Sequence, residues 1–138
     1  MHPDTITIPL TQGKVAIIDV DDAERVLAHR GHTVYLHRFI VEGPNEMLVD
    51  HADNDGLNCR RSNMRLATKA QNQANSPGHK PGVSGFRGVI QAGKKWRAQM
   101  TVNNRRRHIG CYDTPEDAAR AYDEAVRAHW GEFAVTNF

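Results

Sequence analysis

The sequence has little that would take it into or across a membrane. In 138 residues no apolar run approaches the roughly 18–20 residues that a spanning helix needs. The start, Met1-His2-Pro3-Asp4, lacks the basic opening and apolar stretch of a secretory signal, so a cytoplasmic location is expected. Cysteine is scarce. Cys59 and Cys111 stand too far apart for a CxxC knuckle, and two thiols cannot complete a four-ligand structural zinc site. Both are expected to be free thiols in a reducing compartment. Acid is missing from one stretch: residues 86–112 hold Arg87, Lys94, Lys95, Arg97, Arg105, Arg106 and Arg107 and no Asp or Glu.

That local absence gives the small net charge of +2 a direction. Residues 1–75 carry 8 Lys/Arg and 10 Asp/Glu, a balance of −2; residues 76–138 carry 10 and 6, a balance of +4. A basic field confined to one segment attracts polyanions. The segment Asn75-Ser76-Pro77-Gly78-His79-Lys80-Pro81-Gly82-Val83-Ser84-Gly85 has two prolines, three glycines and no apolar periodicity, and reads as a linker. The expected organisation is a first domain over 1–75, a linker over 76–85 and a second domain over 86–138.

In the first domain Ile6–Leu10 and Lys14–Ile18 read as short strands around Thr11-Gln12-Gly13. Asp21–His29 reads as a short helix capped by Asp21 or Asp22. Leu36–Val41 fits helix or strand equally. Met47–His51 and Asn63–Ala67 read as strands on either side of a polar loop, in which Asn54 and Asp55 suit turn positions. Thr68 and Gln71 fit a capping box for a helix to about Asn75. Asp50 and His51 are adjacent at a strand end and point to opposite faces unless the strand breaks there. Asn63 is placed to hold the loop, and Asn72 lies one turn into the capped helix.

In the second domain Phe86–Gln91 reads as a strand, and Lys95–Val102 alternates. Trp96, Ala98, Met100 and Val102 take one face, and Arg97, Gln99 and Thr101 the other. Asn103-Asn104 suits a hairpin turn. Arg106 and His108 should then share a face opposite Arg107, Ile109 and Cys111. Thr114-Pro115-Glu116-Asp117 opens a helix that Gly131 stops. The predicted fold is three antiparallel strands with one helix packed on one face, which puts Trp96 and Tyr122 in the core. The open face would carry Arg87, Arg97, Gln99, Thr101, Arg106 and His108, side chains suited to base edges and phosphates in a groove.

Two resemblances follow. Val49-Asp50-His51, Asn63-Met64-Arg65 and Gln71-Asn72, with Leu36-His37-Arg38 and Gly56–Asn63, resemble the HNH nucleases of the phage and intron homing branch. The resemblance implies an α+β chain whose residues 34–75 form a ββα-metal core. It implies His51 as general base, Asp50 and Asn72 as ligands of Mg²⁺ or Mn²⁺, and Asn63 as the loop asparagine of the catalytic motif. Arg38, Arg60 and Arg61 would meet phosphates, and His37 either a phosphate or its neighbours. Phe86-Arg87-Gly88-Val89, Lys95-Trp96-Arg97-Ala98, Ile109-Gly110-Cys111-Tyr112 and Glu116–Asp123 resemble the Apetala-type DNA-binding domain, whose sheet enters the major groove. By that likeness Arg87 and Arg106 contact DNA. Ile90, Thr101 and His108 depart from the plant pattern and imply a different target. Together these imply a phage- or mobile-element-encoded endonuclease acting on double-stranded DNA in a bacterial host. A monomer would nick, and a homodimer would cut both strands. The alternative is a DNA-binding regulator whose HNH unit is inactive.

Overall fold

A computed structural model of the chain describes residues 4–30, 33–78 and 81–138. The expectations for Met1–Pro3, His79 and Lys80 lie outside them. The chain divides into two compact units, Met1–Lys69 and Ala70–Phe138. The fold is mixed α+β, as read from the sequence, and among the described residues no helix is long and apolar enough to cross a membrane.

The first unit opens with β1 (Thr5–Pro9) and β2 (Val15–Asp19), paired antiparallel from Thr5↔Asp19 to Pro9↔Val15. The reversal is tight because Gln12 and Gly13 both take left-handed backbone, at φ 63° and 71°. Helix α1 (Val20–Ala28) and the one-turn helix α2 (Leu36–Ile40) follow, then the hairpin of β3 (Leu48–His51) and β4 (Met64–Ala67). The ambiguous stretch 36–41 is therefore a helix, closed by Phe39 N–H to Tyr35 C=O at 2.9 Å and Val41 N–H to His37 C=O at 2.9 Å. Ile8, Ile18, Ile40, Cys59 and Met64 form the core, with Val26, Leu36 and Val49 packed around them.

Neither expected cap of α1 holds the cap position, since Asp21 and Asp22 both lie in its first turn. Asp19 stands at the N-cap, and its side chain makes no capping bond. Asp22 is 3% exposed and inside the helix. Its carboxylate takes Arg61 Nε at 2.8 Å and Nη2 at 2.6 Å, with Arg25 Nη2 at 3.4 Å. The Arg61 hydrogen bonds outweigh the opposing cost of burial and hold the Asp22 carboxyl below the ordinary 3.8. A carboxylate with a depressed native pKa adds stability above its unfolded pKa and loses it as pH falls through the native one. Asp22→Asn should therefore cost about 1.5–3 kcal/mol at neutral pH, the range for hydrogen bonds to charged groups. The gap from wild type should close in urea melts as pH drops below the ordinary aspartate range. A gap that stays constant down to strong acid would show that the pair adds nothing.

The second unit begins with α3 (Lys69–Asn75, all but its first residue). Three antiparallel strands follow in the order β5 (Val89–Ala92), β6 (Lys95–Val102), β7 (Arg105–Tyr112). Helix α4 (Pro115–Trp130) covers one face. Thr114 Oγ1 accepts the Asp117 amide at 3.1 Å, and Gly131 ends α4 at φ 56°. Asn103 and Asn104 turn the β6–β7 hairpin at φ 50° and 60°. Val89, Ala98, Met100, Val102, Ala118, Tyr122 and Val126 form its core, and Trp96 packs against it.

Two expectations fail here, each for a local reason. Strand β5 starts at Val89 rather than Phe86, because Gly88 at φ 74° cannot continue an extended strand. The β6–β7 ladder slips between Ala98↔Gly110 and Gln99↔His108, so Ile109 is bulged out of the count. Cys111 thereby pairs with Arg97 and joins its face, the reverse of the simple alternation.

Candidate active site and nucleic-acid interface

The β3–β4 ladder runs Leu48↔Ala67, Val49↔Leu66, Asp50↔Arg65, His51↔Met64 without a register shift. Asp50 and His51 therefore leave the strand on opposite faces and bracket its end. Asp50 is 4% exposed, and its Oδ2 accepts Arg65 Nε at 2.8 Å from directly across the ladder. Sequence reasoning missed Arg65, since its role depends on a register that only the pairing reveals.

His51 is half-buried. Its ring meets the edge of His37 at 5.5 Å between centroids and 84° between planes, and His37 stacks on Tyr35 at 5.7 Å and 20°. Burial first, then the neighbouring His51 and Arg38, hold His37 below the ordinary histidine range, so it is the neutral ring at neutral pH. His51 Nε2 lies 3.9 Å from Cys59 Sγ, and that thiol also reaches Gly56 C=O at 3.7 Å. Burial, helped by Asp55, pushes the Cys59 thiol up, so it stays protonated. Both cysteines are free thiols, as composition implied.

Asn63 holds the loop. Its Nδ2 donates to Asp53 Oδ1 and Asn58 C=O at 2.8 Å each, and its Oδ1 accepts the Asp53 amide at 3.1 Å. Asp53 in turn takes the Asp55 amide at 2.9 Å and Asn58 Nδ2 at 2.7 Å. Burial opposes ionisation of Asp53, but these hydrogen bonds win and lower its pKa. Asn54, at φ 61°, and Asp55, whose Oδ1 takes the Leu57 amide at 2.9 Å, serve the turn. The loop is thus set by its own short polar side chains, and its end presents His51.

The three arginines expected at phosphates have partners inside the unit. Arg38 donates to the carbonyls of Met47 at 2.7 Å, Asn45 at 3.3 Å and Pro44 at 3.4 Å, clamping the turn before β3. Arg60 Nε holds Asp19 Oδ1 at 3.2 Å, and Arg61 holds Asp22. These two tie the loop to α1 across about forty residues of chain, which no local pattern discloses. Asn72 lies half-buried on α3, within the second compact unit.

For a divalent cation the donor chemistry of Asp50 fits. Its oxygens are hard, as magnesium requires. Among the described residues no three His, Cys, Asp or Glu side chains converge. A magnesium site does not need such a set, since that ion keeps several waters.

In the second unit the cross-strand pairs Arg97↔Cys111, Gln99↔His108 and Thr101↔Arg106 put these six side chains on the face away from α4. Ile90 pairs with Arg97 and joins them, 43% exposed. Arg87 does not belong to this set. Its Nε donates to the Tyr122 hydroxyl at 3.1 Å and its Nη1 to Ser76 C=O at 2.7 Å. Its backbone is fixed as well: Asn137 Oδ1 accepts the Arg87 amide at 2.7 Å, and buried Asp123 holds Asn137. Arg87 is thus a clasp between the residue after α3, the sheet and the C-terminal segment.

Comparison with known proteins matches both halves. Residues 34–74 match the family model for HNH endonucleases. An uncharacterised HNH endonuclease of Acanthamoeba polyphaga mimivirus is 37% identical over 109 residues, which is 74% of this chain and 56% of the viral protein. The ethylene-responsive transcription factor WRI1 of Arabidopsis thaliana is 32% identical over 135 residues, 92% of this chain and 30% of the plant protein. An APETALA2-like protein of Oryza sativa subsp. indica is 41% identical over 66 residues, 46% of this chain and 15% of its own length. The chain thus spans just over half of the viral relative and under a third of the plant ones. The β3–loop–β4–α3 order falls in the stretch that matches the HNH endonuclease model, and the chain is similar to a viral HNH endonuclease and to plant AP2-type factors, a combination that supports an HNH unit joined to an AP2-like unit.

Proposed function

We propose that the chain is a divalent-metal-dependent, homing-type endonuclease that hydrolyses a phosphodiester of double-stranded DNA, and that its AP2-like sheet supplies sequence recognition. The observation that carries the reading is His51, displayed at the end of β3 beside Asp50 by a loop that Asn63 pins, inside the HNH-matching segment. In this reading His51 takes the proton of the attacking water. Asp50 would hold the cation, which when bound lowers the pKa of water and offsets charge on the phosphate. The open face of Arg97, Gln99, Thr101, Arg106 and His108 would lie on the duplex. Bacterial cytoplasm and a phage or mobile-element origin belong to the same proposal.

One observation favours a second reading. The Asp50–Arg65 pair is a buried ion pair that is neutral without any cation, as in a DNA-binding regulator with an inactive nuclease unit. Supercoiled plasmid incubated with protein and magnesium separates the two. Conversion to open circle that chelator abolishes supports the enzyme. Tight binding with no cleavage across magnesium and manganese on cognate DNA supports the regulator. The division of labour has its own test. Arg106→Ala should weaken binding and reduce the log–log salt slope by about 0.9, one phosphate contact. Cleavage at saturating protein should persist. Equal loss of cleavage at saturation would end the assignment of binding to the sheet.

A further inference from the structure

Five of the six arginines of the first unit have partners elsewhere within it. Arg25 pairs with Glu42 at 2.7 Å, Arg60 with Asp19, Arg61 with Asp22 and Arg65 with Asp50, and Arg38 serves the carbonyls of Pro44, Asn45 and Met47. The unit has a slightly acidic balance, and with most of its guanidinium groups paired this way its exposed cations include Lys14, Arg30 and Lys69. Contact with substrate beside His51 can therefore draw on more than charge.

Tyr35 is the group in position. It is 77% exposed, among the most open large apolar side chains of the described residues. Its ring is stacked on His37, whose own ring abuts His51. The three rings run in order from solvent to the proposed base. Tyr35 also sits on fixed backbone: it is the N-cap residue of α2, at φ −73° and ψ 124°, and its carbonyl accepts the Phe39 amide at 2.9 Å. An exposed aromatic anchored on a rigid turn next to a site for DNA suits stacking on a base or packing on a deoxyribose, contacts open to any sequence.

We infer that Tyr35 is a substrate-positioning residue that packs against the nucleotide flanking the scissile phosphate. This rests on the nuclease reading of the same site. The contact would align the backbone with His51 without ionic attraction, and sequence choice would stay with the second unit. Burial of His37 beneath Tyr35 keeps an uncharged ring there, a suitable support for a stacked platform.

The test uses full-length protein with plasmid nicking and with duplex binding in a His51→Ala background. Base–aromatic stacking is lost on alanine substitution with a change of about 5- to 100-fold. Tyr35→Ala should raise KM and Kd by about that factor, with kcat changed by less than about threefold. The salt slope of binding should stay as in the parent, because no phosphate contact is lost. Tyr35→Phe and Tyr35→Trp should restore KM, and Tyr35→Leu should not. If Tyr35→Ala lowers kcat and leaves KM and Kd alone, the residue only braces His37 and the inference is overturned. If wild type nicks and every Tyr35 variant matches it, Tyr35 has no role in positioning. If wild type never nicks, the nuclease reading has failed, and unchanged binding in Tyr35→Ala would then remove the DNA contact as well.

Discussion

Gly88→Ala should unfold the second unit at physiological temperature. The position is at φ 74°, where a side chain costs roughly 1–2 kcal/mol before any contact. Space adds more. A Cβ there would fall 2.1 Å and 2.2 Å from Tyr122 ring carbons and 2.8 Å from the Gln99 carbonyl oxygen. Neither neighbour is free to give way. The Gln99 carbonyl belongs to β6, whose Gln99 amide donates to Gly88 C=O at 2.8 Å. Tyr122 is 7% exposed in the centre of the core, and its hydroxyl accepts Arg87 Nε. Relief would mean moving either the strand or the helix, so the loss should reach about 4 kcal/mol or more, the range reserved for core overpacking and backbone strain. A unit of this size holds only about 3–5 kcal/mol in its core. The check is a thermal melt followed by near-UV circular dichroism. Trp96 and Trp130, both packed on this core, should lose their signal in Gly88→Ala. A melting point within about 2 °C of wild type would show that the turn tolerates a side chain.

The same glycine shows what could be read from the chain alone. The Phe-Arg-Gly-Val run marked the unit, and strict alternation over Lys95–Val102 gave its buried and open faces correctly. These are signals of period two carried by the residues themselves. The bulge at Ile109 has no such signal, since one extra residue in a ladder changes the register and leaves composition untouched. It moved Cys111 to the face of Arg97. The arginines carry a different kind of signal. Arg60 and Arg61 are compatible with phosphate or carboxylate partners, and only the fold brings Asp19 and Asp22 to them. The polar loop was legible because its bonds are local, from Asp53, Asp55, Asn58 and Asn63 to groups at most ten residues away. Residue types and near spacing thus disclosed the elements and the loop, while long-range pairing decided which carboxylates the arginines meet.

His51→Ala should reduce single-turnover nicking by about 10²- to 10⁴-fold, the span for loss of a positioned general base. Duplex affinity should stay within about twofold, because the groups proposed to hold DNA lie on β6, β7 and Tyr35. Stability should fall little, by about 1 kcal/mol, since the ring is only half-buried. These three readouts together separate chemistry from folding. Added imidazole should recover part of the rate, as the lost ring leaves a gap bordered by His37 and Cys59. Cys59 cannot replace it, because burial keeps its thiol protonated. His37 can be tested as a substitute, being 5.5 Å away between ring centroids and neutral at neutral pH. Wild-type nicking by His51→Ala that disappears in His37→Ala would move the base from the strand end to α2. Loss of nicking in His51→Ala with DNA binding intact would assign the proton transfer to the strand end, where the loop held by Asn63 presents the ring.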